Sequence, residues 1–248
     1  MQYTCNQYFI IFTGMALPFF YIPAYSAEQN KIVLDEDTSK HVVQVLRMKT
    51  GEQLNLTDGK GSLLTCEITD AHKKHCTVEV RAKTESPKPL KQVSIAISLL
   101  KNTNRFEWFL EKATEIGVSE IIPLICERTE KEKFRYDRMQ GIVISAMLQS
   151  QQCWLPVLQD PVEFNKLVNE SSVKQKFIAH CDEASVKNNL LIFQPFNSSV
   201  ILIGPEGDFS PAEIELALQN NFTPVSLGGT RLRTETAGVV AATLLCQA

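Results

Sequence analysis

The chain has 248 residues, 44% of them hydrophobic, enough to bury the core of one large domain or two small ones. Its formal net charge of -3 gives no overall attraction to a polyanion, so any contact with nucleic acid must come from local clusters of Lys and Arg. The seven cysteines are odd in number, scattered and never spaced as C-x-x-C, which argues against a disulfide framework and for reduced thiols in the cytosol.

In chain order, Tyr8 to Tyr25 is apolar, and Ala24-Tyr25-Ser26-Ala27 has the small residues of a signal-peptide cleavage site. Residues 1–7 hold no Lys or Arg, however, and Pro18 and Pro23 interrupt the run, so a cytoplasmic protein without a membrane span is expected. Lys31 to Leu34 reads as a strand, and Asp37 to Arg47 as a helix with Val42, Val43, Val45 and Leu46 on its apolar stripe. His41, Arg47 and Lys49 fall at the polar border of that helix and its exit. Gln53 to Thr57, a turn at Asp58-Gly59, Ser62 to Thr69 and His75 to Lys83 complete the pattern of a small β-barrel. His72 and His75 have no cysteine or carboxylate set at ligand spacing, so no metal is expected there.

Thr84 to Pro89, with two prolines and no period, reads as a linker. Beyond it strands alternate with helices. Val93 to Leu100 is a buried strand. Asn104 to Glu107 resembles a capping box for a helix with Phe106, Phe109, Leu110, Ala113 and Ile116 inward, closed by Gly117. Ile121 to Ile125, Lys176 to Ala179 and Val200 to Ile203 are further strands, and Met139 to Gln149 a helix, which together predict an α/β domain with a mainly parallel sheet.

Two loops carry the chemistry. After Val200 to Ile203, Gly204 and Gly207 allow close approach of backbone to a ligand or a positive φ, while Ser210, Pro211 and Glu213 fit the N-cap, first turn and reciprocal cap of a helix. The segment is neither G-x-G-x-x-G nor a phosphate loop ending in G-K-[ST]. In the second loop, the strand Val225 to Leu227 breaks at Gly228-Gly229, and Thr230 to Gly238 leads into an apolar helix. Charges just before a buried helix need partners, and an Arg233 to Glu235 salt bridge is the plain structural reading of them.

The stretches Leu202 to Gly207, Ser226 to Gly228 and Leu232 to Ala237 resemble the signature of the SPOUT-class methyltransferases that act on N3 of a uridine in 16S ribosomal RNA. Lys112 to Val118, Glu127-Arg128-Thr129, His41 and Val45-Leu46-Arg47 are similar to the same family. The resemblance runs from about Met15, which suggests a start there and an extension over 1–14. It implies a PUA-like RNA-binding barrel over 15–84, a linker over 85–91, and a methyltransferase domain over 92–248 whose parallel sheet carries a trefoil knot. S-adenosyl-L-methionine would meet Leu202, Ile203, Gly204, Pro205, Glu206, Gly207, Leu227, Gly228, Leu232 and Thr234. His41, Arg47, Lys49 and Arg231 would meet RNA, with Arg81, Lys83, Lys88 and Lys91 available to follow its backbone.

Uridine N3 carries a proton at neutral pH, so the reaction needs a proton acceptor and positive charge near the uracil oxygens. The resemblance assigns these tasks to Arg233, with Glu235 orienting it or taking part in proton transfer. Its other implications are the small ribosomal subunit as partner and a homodimer that completes the site. Asp208 stands where many relatives carry a glycine, and Gly229-Thr230-Arg231 where they carry Pro-Arg-Ile, which leaves open whether Arg231 or Arg233 meets the base. Attack by a ribose 2′-oxygen or another base, and a non-catalytic role in ribosome assembly, are the competing readings.

Overall fold

A computed structural model describes residues 17–26, 29–130, 133–181, 187–193 and 197–247. The Met15 start and the extension over 1–14 lie outside the described residues. Among these residues two compact units emerge, one holding those up to 58 and 62–85, the other 59–61 and those from 86 on.

In the first unit, β1 (Phe19–Tyr21), β2 (Lys31–Val33), β3 (Gln53–Thr57), β4 (Ser62–Asp70) and β5 (Thr77–Glu85) form a sheet ordered β1-β3-β4-β5-β2 among the described residues. Alternation along β4 sends Leu64, Cys66 and Ile68 inward, where they meet Leu54, Leu56, Val78 and Val42. The expected helix is shorter and wider than its apolar pattern suggests. Its α-helical part, α1, covers Glu36–Lys40, and His41–Val45 is a π turn closed by Leu46 N–H donating to the His41 carbonyl at 2.9 Å. The wider turn rotates the later residues off the stripe, so Val42 is buried while Val45 and Leu46 face solvent, contrary to the 3.6-residue reading.

In the second unit, the pairings among the named strands of the described residues are all parallel. The order runs β11 (Asn188–Asn189), β13 (Thr223–Ser226), β10 (Gln175–Ala179), β12 (Ser198–Ile203), β6 (Gln92–Ser98), β7 (Glu120–Ile125) and β8 (Val157–Leu158), with β9 (Val162–Glu163) also on β7. Period-two alternation builds two cores. Val93, Ile95, Ile97, Ile201 and Ile203 face α2 (Thr103–Ile116), α3 (Tyr136–Gln149) and α6 (Thr234–Gln247). Ala96, Ile122, Leu124, Val200 and Leu202 face α4 (Phe164–Glu170) and α5 (Pro211–Gln219). A sheet buried on both faces needs the near-continuous apolar runs that these strands carry.

The start of α2 departs from expectation. Its N-cap is Asn102, whose side chain accepts from Asn104 N–H, two residues ahead of the predicted box, and Glu107 instead pairs with Arg138 at 2.6 Å. Gly117 does close the helix with φ 98°. Trp154 Nε1 donates to the carbonyls of Ser86 and Pro87, so the first linker residues are tied to the second unit. Among the described residues no helix is long and apolar enough to cross a membrane.

Candidate functional site

The ends of β10, β12 and β13 are level, with Ala179 beside both Ile203 and Val225. Parallel strands present their carboxyl ends on one side, so the loops after all three emerge together. The first, 204–210, is shaped by its neighbours. A Cβ on Gly204 would lie 3.1 Å from the Phe209 ring and 3.2 Å from Phe209 N, which is why that position takes no side chain. Neither Gly204 nor Gly207 adopts the positive φ considered for them. That conformation falls on Asp208, at φ 63°. Its carboxylate holds the turn, Oδ2 accepting from Cys181 N–H at 2.8 Å and Oδ1 from Phe209 N–H at 2.9 Å. A glycine at this position would suit the same backbone.

The loop is braced on its far side by Glu127-Arg128-Thr129. Arg128 Nη1 donates to the Gly207 carbonyl at 2.7 Å, and Glu127 N–H donates to Glu213 Oε1 at 2.8 Å. Glu213 in turn accepts from Ser210 N–H, completing the expected capping box of α5. Thr129 Oγ1 accepts from Cys126 N–H and lies 2.9 Å from Ser98 Oγ. Burial, with the Glu213 charge adding to it, pushes the Cys126 thiol up to about 12, so it stays neutral and serves as packing.

In the second loop, Gly228 has φ 146° and nothing within 4 Å of an added Cβ. Ser226 Oγ donates to the Gly228 carbonyl at 3.0 Å and fixes the turn. Two adjoining cavities open between the loops. One, about 420 Å³, is lined by Ile203, Gly204, Pro205, Glu206, Asp208, Arg231, Leu232, Arg233 and Thr234, together with Arg105. The other, about 320 Å³, is lined by Leu227, Gly228, Gly229, Thr230 and Lys187, and the two share Ala179, Cys181, Arg231, Leu232 and Ala237. Of the expected contacts, Leu202 turns into the α5 core and Gly207 faces Arg128, so neither side lines a cavity wall. A larger cavity of about 600 Å³ lies elsewhere, at α4 and α5. It is lined by Glu127, Glu163, Glu213 and Glu215 without a Lys or Arg, which suits no polyanion.

Arg233 and Glu235 do not pair. Arg233 precedes α6 and is exposed, whereas Glu235, in the first turn of α6, is buried against α2, where its Oε1 lies 3.7 Å from Arg105 Nε. Arg105 Nη1 also donates to Glu206 Oε1 at 3.0 Å. Glu235 Oε2 is buried and has no hydrogen-bond partner among the described residues. No local signal marked Arg105, because its partners are distant in sequence.

In the first unit, His41, Arg47 and Lys49 are all exposed. His41 meets the edge of Phe20 at 5.7 Å, Arg47 has φ 56°, and Lys49 N–H donates to Glu52 Oε2. Arg81 is engaged by Glu67 and Glu79, and Lys83 by Glu85, so these two are less available to a phosphate than the sequence suggests. The His72 and His75 rings meet with centroids 3.6 Å apart, tilted by 45°, and among the described residues no three His, Cys, Asp or Glu side chains gather as a metal site.

The family model described as "RNA methyltransferase domain" matches residues 86–246, and that described as "RNA methyltransferase PUA domain" matches residues 34–81. The chain is 28% identical to the Ribosomal RNA small subunit methyltransferase E of Rickettsia conorii, over 89% of this chain and 91% of that protein. A solved structure from Porphyromonas gingivalis, described as a probable rRNA methyltransferase, is 40% identical with a TM-score of 0.85 and covers 93% of this chain and 99% of its own. The Ribosomal RNA small subunit methyltransferase E of Neisseria gonorrhoeae, solved bound to S-adenosyl methionine, is 26% identical with a TM-score of 0.81 over 92% of this chain and 96% of its own.

Proposed function

The chain belongs to the RNA methyltransferase family, and on that premise we propose that it transfers a methyl group from S-adenosyl-L-methionine to N3 of a uridine in the 16S rRNA of the small ribosomal subunit. The observation that carries this reading is the pair of adjoining cavities walled by both glycine loops. Their size suits a small-molecule ligand. The residues present also fit the donor. Gly228 has open space around its Cα, apolar Leu227 and Leu232 offer walls for a purine, and the backbone of Ile203 and Gly204 lies alongside. When bound, the cofactor supplies an electrophilic methyl group, and the remaining work falls to the protein.

That work is to present uracil with N3 deprotonated. Removing the proton leaves negative charge on the uracil oxygens, which preorganised cations stabilise best where water is scarce. Arg233 supplies this charge in our reading, with Arg231 beside it guiding the RNA. Glu235, buried 3.7 Å from Arg105, is the carboxylate of this reading, and the pH profile of Glu235→Gln tells whether it takes the proton or orients a cation.

Residues 15–84 form the RNA-gripping part of this proposal, 85–91 the connection and 92–248 the part that carries the chemistry. His41, Arg47 and Lys49 are its phosphate contacts, and their exposure supports that. We also assign the protein to the cytoplasm and to a homodimer, in which a second copy covers the exposed apolar Leu191 and Ile192 near α6.

Calorimetry with S-adenosyl-L-methionine, followed by methyl transfer to small-subunit RNA and nucleoside analysis, tests the function. N3-methyluridine is expected. A ribose-methylated product overturns the attacking atom, and a folded chain that binds no cofactor points to an assembly protein instead.

A further inference from the structure

Arg105 stands where three elements meet, and none of the motifs in the glycine loops includes it. It lies in the first turn of α2, and its guanidinium reaches Glu206 of the first loop at 3.0 Å and Glu235 of α6 at 3.7 Å. The approach of α2 to α6 makes this reach possible. Arg105 and Phe109 share one face of α2, four residues apart, and Glu235 and Gly238 share one face of α6, three apart. At the second pair the helices nearly touch, since a Cβ on Gly238 would lie 2.6 Å from the Phe109 ring. That contact brings the first pair into register.

The charges need the same arrangement. The Glu235 side chain is 8% exposed and its Oε2 has no hydrogen-bond partner among the described residues, a costly placement for a carboxylate unless a cation lies near. The N-terminal end of α6 gives partial compensation, and Arg105 is the cation that the structure provides. Glu206 is 46% exposed, so its bond to Arg105 is solvent-screened and adds geometry rather than much stability. The guanidinium thus has one buried anchor and one exposed partner, on the loop that walls the cavity.

We propose that Arg105 is a positioning residue for methyl transfer: anchored on Glu235, it straps Glu206, and with it the loop 204–208, in the geometry that the reaction needs. This rests on the methyltransferase reading above. Arg128 holds the same loop from the other side through the Gly207 carbonyl, so without Arg105 the loop stays attached but loses its placement toward α6.

The test compares wild type with Arg105→Ala, Arg105→Lys, Glu206→Gln and the double variant Arg105→Ala/Glu206→Gln. Cofactor affinity is read by calorimetry and methyl transfer by single turnover. A misplacement of about 1 Å at a reacting centre lowers rates on the order of a hundredfold. Arg105→Ala is therefore expected to slow transfer by about ten- to hundredfold while cofactor affinity changes less than about threefold. Arg105→Lys should restore little, since an ammonium lacks the planar fork that meets two carboxylates along separate edges. The double variant should be no slower than Arg105→Ala alone, because both changes cut the same strap. Wild-type turnover in Arg105→Ala, full rescue by Lys, or additive losses in the double variant each overturn the strap. If wild type itself transfers no methyl group, both the strap and the underlying function fall.

Discussion

Gly238 on α6 stands against the Phe109 ring on α2, with no room between them: a Cβ there would lie 2.6 Å from Phe109 Cε2 and 2.9 Å from Ile97 Cδ1. Two effects compete in Gly238→Ala. Alanine favours a helix by up to about 1 kcal/mol, whereas overpacking a filled core costs about 1–3 kcal/mol. Since Phe109 and Ile97 are both fully buried, the clash should win. We expect a net loss of about 1–2 kcal/mol in denaturant unfolding, with slower methyl transfer as Glu235 moves away from Arg105. A more stable variant would mean that the helices can separate freely.

The two glycines of the first loop should behave differently. At Gly204 a larger side chain meets the Phe209 ring and backbone at 3.1–3.2 Å, while at Gly207 it meets only the stem of Arg128 at 3.4 Å. Gly204→Val is expected to weaken cofactor binding about tenfold or more, the equivalent of 1–3 kcal/mol of overpacking, with the first unit still folded. Gly207→Ala should bind within about threefold of wild type. Equal losses at both positions would show that ligand space, rather than Phe209, sets the requirement for glycine.

Asp208 combines a left-handed backbone with two carboxylate contacts. Glycine keeps the backbone free of strain but drops the bond to Cys181 N–H, and alanine loses the bond and keeps the strain as well. The expected order of stability is wild type, then Asp208→Gly, then Asp208→Ala, with the two variants separated by about 1 kcal/mol. Thermal unfolding orders them, and alanine at or above glycine would remove the backbone argument.

Arg233 has no ion-pair partner among the described residues and lines the larger of the two loop cavities, so it is free to meet a developing anion. Its loss should cost about a hundred- to thousandfold in single-turnover methyl transfer, the usual cost of one preorganised donor, and much less in cofactor binding. Arg233→Lys should stay impaired. If Arg231→Ala is the slow variant and Arg233→Ala is not, the roles of the two arginines are exchanged.

Arg47 and Lys49 are exposed on the first unit, away from the residues of the loop cavities in sequence. Replacing both with Ala should weaken RNA binding and lower the slope of log affinity against log salt by about 1 per lost phosphate contact, with cofactor affinity unchanged. Arg81→Ala should change the slope less, because Glu67 and Glu79 already occupy that guanidinium. An unchanged slope in the Arg47 and Lys49 variant would make them ordinary surface charges.

Much of this architecture is legible residue by residue. The apolar runs Val93 to Leu100 and Val200 to Ile203 lie close to β6 and β12, Gly117 ends α2, and Ser210, Pro211 and Glu213 open α5 as their types require. Two local readings fail for identifiable reasons. The π turn at His41–Val45 breaks the 3.6-residue period and exposes Val45 and Leu46, and the N-cap of α2 falls on Asn102 although Asn104 to Glu107 carries the better box pattern.

The sequence by itself determined most of the longer elements, the mainly parallel setting of the second sheet and the two glycine loops, because periodicity, caps and turn residues act over a few neighbours, whereas β1, β8, β9, β11 and α4 are too short or too weakly patterned to stand out. Only the tertiary structure decided which charges meet. Arg105 and Glu206 are 101 residues apart in the chain, and Arg233, two residues from Glu235, does not pair with it because α6 begins between them. A guanidinium finds its carboxylate by distance in space. That distance is set by how closely α2 and α6 pack, down to the single missing side chain at Gly238.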